Sequence, residues 1–152
     1  MKNLYSDSFR TVMQSNLNNS SMSSNRIEEI ANIAKGMGVE RLGIAHCITF
    51  SYEAELLKKY FEKYFEVFLV DCKYGRLSKG ELLGGSGRRV LCNPAGQADF
   101  LNKKNTDLNI SMGLCVGHDM IFSKASNAYV TNLFDKDFTN NNNPARAIAD
   151  IQ

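Results

Sequence analysis

The sequence predicts an α/β protein, a three-layer sandwich with a mainly parallel, flavodoxin- or Rossmann-like sheet of about four to five strands. Short apolar runs typical of buried strands alternate with helical segments, and 152 residues suit a single sizeable core. This alternation implies βαβ units with right-handed crossovers. Because ligands bind beyond the carboxyl ends of the strands in such open sheets, we expect a binding site at that edge.

The predicted strands are RLGIAHC (41–47), EVFLVDCKY (66–74), DLNISMGLC (107–115) and YVTNLFDKD (129–137). The predicted helices are one after Asn25, then 51–64, 94–104, 118–126 and 145–151. Asn25 with Glu28 forms a capping-box pattern, and Asn93-Pro94 is typical of a helix start. The segment 75–89 is predicted to be a loop, and its glycine-rich part LLGGSGRR (82–89) a mobile lid over the strand edge.

Residues 1–24 are predicted to be a flexible leader ahead of a single α/β domain over 25–152, because they are rich in Ser and Asn. Apolar positions that allow a short docked helix there instead are Leu4, Phe9, Val12 and Met13. The leader lacks the apolar core of a secretion signal, and no stretch approaches the roughly 20 apolar residues that span a bilayer. A formal charge of +2 gives no sign of nucleic-acid binding. We therefore expect a cytoplasmic protein with neither membrane nor nucleic acid as partner.

All four cysteines are predicted to lie near one edge of the sheet. Cys47, Cys72 and Cys115 end or nearly end the first three strands, and Cys92 directly precedes the helix that starts at Asn93. Helix N-termini favour thiolates, and four thiolates can complete the shell of an iron–sulfur cluster or of a Zn²⁺ ion. Alternatively the cysteines are merely small buried residues, since cysteine is among the most buried residue types.

Other polar residues of the same strand ends and turns are candidates for the site. His46 and His118 are alternative nitrogen donors, and Asp71, Lys73 and Asp119 can surround the ligands. These assignments rest on the predicted strand ends alone.

Several stretches resemble one known family closely: CNPAGQADFLN (92–102), TDLNISMGLCVGHDMIFSKAS (106–126) and VTNLFDKD (130–137), with GIAHC (43–47) upstream. It is the uncharacterised prokaryotic family catalogued as domain of unknown function 1847, often labelled metal-binding. The similarity runs from about residue 25 to about residue 147. The resemblance implies no particular reaction. It implies metal ligands matching Cys47, Cys72, Cys92 and Cys115, and cofactor-binding candidates Asn93, His118, Asp119 and Lys124.

Two departures from the family pattern matter. Family members usually begin with an extra cysteine-rich segment, whereas residues 1–24 contain no cysteine, so we expect no second metal site here. A His-Asn-Pro element expected near the C-terminus reads Asn142-Asn143-Pro144, so we expect no histidine role at that end.

GLCVGHD (113–119) by itself resembles the nucleophile turn of class I glutamine amidotransferases, typically G-I-C-L-G-H-Q. This implies an alternative, a hydrolase or amidotransferase that uses Cys115 as nucleophile. The histidine base expected downstream of the nucleophile is missing, because no histidine follows His118. Asp119 also stands where the amidotransferase motif has glutamine.

The leading hypothesis is a metal-binding protein with a cysteine-ligated iron–sulfur cluster of the [4Fe–4S] type. Zinc is the alternative metal. Expected partners are a redox partner or a small-molecule ligand, and a structural or regulatory module remains a third alternative.

Overall fold

The computed structural model describes residues 4–149 and Ile151. By their contacts the residues form two compact units, which divide after Glu40. The first unit carries two helices, α1 (Asp7–Asn19) and α2 (Arg26–Met37). The second unit carries the sheet and the cysteines.

In the first unit, local capping sets the helix ends. The Ser6 side chain accepts a hydrogen bond from the Phe9 N–H at the start of α1. The predicted capping box of Asn25 and Glu28 opens α2, and Gly38, with a left-handed φ of 75°, ends it. A short helix was one possibility that the sequence allowed before residue 24, and α1 is that helix. The flexibility of residues 1–24 stays a prediction.

The sheet has four parallel strands in the order β2-β1-β3-β4. The strands are β1 (Arg41–His46), β2 (Glu66–Asp71), β3 (Leu108–Met112) and β4 (Tyr129–Phe134). All four predicted strands are confirmed, but each stops earlier than predicted. As a result Cys47, Cys72 and Cys115 follow their strands instead of ending them.

The helices of the second unit are α3 (Ser51–Phe61), α4 (Lys79–Leu83), α5 (Pro94–Lys103), α6 (Val116–Ala125) and α7 (Ala145–Ile148). The connection from β2 to β3 passes over β1, so right-handed crossovers put α5 and α6 on one face of the sheet and α3 on the other. α5 packs against α6, and α3 packs against β2. The predicted three-layer α/β sandwich is confirmed.

The α5–α6 face of the sheet is closed by one apolar cluster. Its buried members are Ala45, Val70, Ala98, Leu101, Leu114 and Phe122. Burying them removes apolar surface from water at about 25 cal/mol per Å², which fixes both helices on the sheet. Among the described residues, no helix combines the length and apolar character needed to cross a lipid bilayer.

Candidate metal centre at the carboxyl edge of the sheet

The four strands end level with one another. His46 pairs with Asp71 on one side and with Met112 on the other, and Met112 pairs with Phe134. Residues that follow these four positions therefore emerge along one edge, with neighbouring strands about 4.8 Å apart. This is the edge at which the cysteines were predicted to converge.

Cys72 and Cys92 are brought together by the start of α5. The N–H of Asn93 donates to the carbonyl oxygen of Cys72 at 2.8 Å, and the two Sγ atoms lie 3.6 Å apart. The Asn93 side chain accepts from the Gly96 N–H and donates to the Tyr74 carbonyl oxygen. Asn93 was predicted to contact a cofactor. In the structure its side chain caps the start of α5, and this cap positions the neighbouring Cys92.

Cys47 continues the ladder between β1 and β3, because its N–H donates to the Met112 carbonyl oxygen at 3.1 Å. Its Sγ accepts from the Thr49 hydroxyl and from the Lys136 ammonium, each at 3.2 Å. Burial opposes ionisation of the thiol, but the hydrogen bonds from Thr49 and then from Lys136 outweigh it and lower the pKa of Cys47.

Cys72 has the opposite environment. It is 2% exposed, and burial raises its pKa to about 12, against the lowering effect of the Ile48 N–H, which donates to Sγ at 3.4 Å. The nearby Cys92 and Cys47 raise the pKa further. The edge thus holds one thiol that ionises readily and one that resists ionisation.

Cys115 is the N-cap of α6 and is half-buried. Its φ of −70° and ψ of 151° are ordinary extended values, whereas a nucleophile elbow is strained. The positive φ of this turn, 61°, belongs to Gly113, where a Cβ would run into the ring of Phe50. The turn therefore lacks the backbone feature on which the amidotransferase-like alternative depends.

Lys136 is the cation shared by these thiols. Burial disfavours its charge, but the hydrogen bond to Cys47 and the charges of Cys47, Cys115 and Cys72 outweigh burial and raise its pKa. Sequence reasoning missed Lys136, although it follows β4 and so emerges at the same edge as the cysteines. Thr49 was missed as well.

Among the other predicted site residues on α6, His118 and Asp119 lie near the carboxyl edge of the sheet and Lys124 does not. His118 is half-buried on α6; burial, then Lys136 and Lys73, lower its pKa, so the ring is neutral at neutral pH. The N–H of Asp119 donates to the Cys115 carbonyl oxygen at 2.9 Å. Lys124 is exposed in the last turn of α6, about 13 Å along the helix from Cys115.

His46 and Asp71 contact backbone. Nδ1 of the buried His46 lies 2.9 Å from the Cys47 carbonyl oxygen. Asp71 accepts from the Lys73 N–H at 2.6 Å. Neither contact brings a further donor to the thiols.

Gln97, which sequence reasoning also missed, joins the ends of two strands beneath the cysteines. Its fully buried side chain donates to the carbonyl oxygens of His46 and Val70, at 3.2 and 3.0 Å. The residues after these strand ends, Cys47 and Cys72, are therefore held at a fixed separation.

Across the described part of the chain, no three His, Cys, Asp or Glu side chains stand at the mutual spacing of a metal site. Cys72 and Cys92 approach each other, while Cys47 contacts Lys136. Bringing all four thiols onto one metal group therefore requires cysteine side chains to move.

Comparison with known proteins gives two matches. The sequence profile of the family described as protein of unknown function (DUF1847) matches residues 2–133. An uncharacterised protein of Methanocaldococcus jannaschii is 41% identical over 137 residues, which cover 84% of this chain and 68% of the relative. No solved structure matches the chain. The motifs had indicated a match from about residue 25 to about residue 147. The family match begins and ends earlier in the chain than that.

Proposed function

This chain belongs to the DUF1847 family, as its cysteine motifs predicted, and we propose that it is a metal-binding protein. The proposed ligands are the thiolates of Cys47, Cys72, Cys92 and Cys115. The group proposed first is an iron–sulfur cluster of the [4Fe–4S] type, and zinc is the second candidate. The observation that carries the proposal is the approach of Cys72 to Cys92, 3.6 Å between sulfurs, at the edge where Cys47 and Cys115 also emerge.

The surroundings of the sulfurs fit thiolate ligands. Cys47 accepts from Thr49 and Lys136, and Cys72 accepts from the Ile48 N–H. Such donors stabilise metal-bound sulfur and tune its electronics. Four thiolates around a group of charge +2 leave a net charge of about −2, which the Lys136 ammonium partly neutralises.

Ligation requires cysteine side chains to rotate, and a cluster also requires the Cys72 and Cys92 sulfurs to move apart from 3.6 Å, because each binds its own iron. A change of χ1 between staggered rotamers moves a cysteine sulfur by about 3 Å. Turning Cys47 toward the Cys72–Cys92 pair exchanges its direct contact with Lys136 for a sulfur–metal bond. The Lys136 ammonium then remains as a neighbouring cation.

The spread of the ligands favours a cluster. Cys72, Cys47 and Cys115 follow three adjacent strands, β2, β1 and β3, which span about 10 Å at the backbone. A cluster gives each cysteine its own iron and so bridges a wider gap than a single ion does. When bound, a cluster supplies one-electron redox chemistry or a structural tie between the strand ends.

One distance favours zinc. Two sulfurs bound to one tetrahedral Zn²⁺ at about 2.3 Å are about 3.8 Å apart. The Sγ atoms of Cys72 and Cys92 are 3.6 Å apart. These two thiols are therefore set for a single ion, with Cys47 and Cys115 completing the shell.

Anaerobic purification followed by quantification of iron, zinc and acid-labile sulfide tests the proposal. We expect about one metal group per chain, with broad visible absorption and stoichiometric sulfide for a cluster, or neither for zinc. Replacing Cys47, Cys72, Cys92 or Cys115 by Ala should remove most of the metal. Val116→Ala, next to Cys115 and 80% exposed, is the matched control and should retain it. A folded, colourless protein without metal would contradict the proposal.

A further inference from the structure

We propose that a cavity beside Cys92 binds a small organic acid, a carboxylate with a short apolar body. The cavity has a volume of about 370 Å³ and lies between α6, the start of α5 and the segment 77–91. That volume falls in the range of small-molecule sites in proteins. Sequence reasoning expected a small-molecule ligand without a location or a chemical class, and this cavity supplies both.

The charges of the residues that line the cavity favour an anionic ligand. Lys73 and Arg89 line the cavity, and none of the described residues that line it carries a carboxylate. His118 lines the cavity too and adds an imidazole ring that can donate a hydrogen bond. A carboxylate therefore meets two cations, whereas a cationic ligand finds no carboxylate in the described lining.

The rest of the lining selects an apolar body. Leu83, Leu91 and Ile121 contribute aliphatic surface, and Leu83 is 72% and Ile121 48% exposed. A ligand with a short aliphatic or aromatic chain covers this surface and removes it from water. An inorganic anion would leave it exposed, so an organic acid fits the cavity better.

One wall of the cavity is built by backbone hydrogen bonds within the segment 77–91. The N–H of Lys79 donates to the Arg89 carbonyl oxygen at 2.8 Å, and the N–H of Leu91 donates to the Leu77 carbonyl oxygen at 3.0 Å. Lys73 holds the same segment, because its ammonium donates to the Val90 carbonyl oxygen at 3.2 Å. These bonds fix the backbone positions of Arg89 and Leu91, which carry the side chains that line the cavity.

The cavity also touches the thiol edge, because Cys92 is part of its lining. A bound acid therefore lies next to one proposed metal ligand. In metal-free protein Lys73, Arg89 and the apolar lining act alone, and with a metal group bound the two cations must outweigh its negative charge at Cys92.

Equilibrium dialysis of the full chain, as purified, against radiolabelled hexanoate tests the inference. We expect saturable binding of one hexanoate per chain, with hexanol and hexylamine at least about tenfold weaker as competitors. Arg89→Gln should weaken hexanoate binding about fivefold or more, because one charge-assisted contact is lost. Arg88→Gln is the matched control, since Arg88 is the neighbouring exposed arginine outside the lining, and its binding should be unchanged.

Ile121→Trp, which fills the cavity, should also abolish binding. Metal and sulfide content of each variant, measured on the same samples, separates loss of the anion site from loss of the metal. Absence of saturable binding, equal competition by hexanol, or equal weakening by Arg88→Gln and Arg89→Gln would each overturn the inference.

Discussion

The Sγ atoms of Cys72 and Cys92 lie 3.6 Å apart, although 20 residues separate them in sequence. The hydrogen bond from the Asn93 N–H to the Cys72 carbonyl oxygen holds the start of α5 against the end of β2. This contact brings the buried Cys72 thiol and the half-buried Cys92 thiol together. The metal proposal and the first prediction both depend on this pair.

In protein stripped of metal, we expect mild oxidation with diamide to join Cys72 to Cys92 before any other pair. Their sulfurs need to approach by only about 1.5 Å to reach bonding distance. Peptide mapping by mass spectrometry identifies the pair. Metal-loaded protein should resist the reaction, because ligated thiolates are held by the metal. A first product that joins Cys47 to Cys115 would count against the account.

Replacing Lys136 by Met removes the ammonium that donates to the Cys47 sulfur. We expect the pKa of Cys47 in metal-free protein to rise, and metal affinity to fall about fivefold, corresponding to about 1 kcal/mol for a partly solvated charged contact. The ¹³Cβ shift of Cys47 as a function of pH reports the first effect, and competition with a chelator reports the second. Lys124→Met, at the far end of α6, is the control. Equal effects of both variants would refute a specific role for Lys136.

The raised pKa of Cys72 predicts a loss of stability at alkaline pH in metal-free protein. The unfolded thiol ionises near 9.0 and the folded thiol near 12, so the unfolded state holds fewer protons between these values. The free energy of unfolding should therefore fall as pH rises above 9.0, by up to about 1.4 kcal/mol per pH unit.

Urea unfolding between about pH 8.5 and pH 10 measures this slope. Cys72→Ala should flatten it, whereas Cys115→Ala, which leaves the Cys72 thiol in place, should keep it. A slope that survives the Cys72 substitution would assign the effect to another group.

Gly113→Ala should destabilise the protein by about 2 kcal/mol or more. Gly113 has a φ of 61°, and an added Cβ meets the Phe50 ring, so backbone strain and overlap add. Gly117→Ala is the control, because a Cβ there meets nothing and alanine favours the helix; a gain of about 0.5 to 1 kcal/mol is expected. Denaturant midpoints with unchanged slopes provide the measurement. A neutral Gly113→Ala would show that the turn before Cys115 is less constrained than we infer.

The order of strands and helices followed from sequence because buried strands are short apolar runs, and caps such as Asn25 and Asn93 mark helix starts. The common edge of Cys47, Cys72 and Cys115 followed from one rule, that parallel strands end at the same side of the sheet. These inferences need no knowledge of side-chain contacts.

The site residues that were not predicted from the sequence are placed by long-range contacts. Lys136 reaches Cys47 across 89 residues, and Gln97 bonds backbone at the ends of two strands, so neither contact is visible in local patterns. The helix α4 was missed for another reason. Its capping box, Ser78 with Glu81, was present in the sequence, but the surrounding glycines indicated a loop.

X-ray absorption at the iron and zinc edges of anaerobically purified protein tests the central claim most directly, since it counts the sulfur ligands of the metal. The account predicts about one metal group per chain with a sulfur-only shell near 2.3 Å, including an iron–iron distance if the group is a cluster. It also predicts loss of this signal in the Cys72→Ala and Cys92→Ala variants. A first shell of nitrogen and oxygen, or a folded protein with no bound metal, would contradict the account.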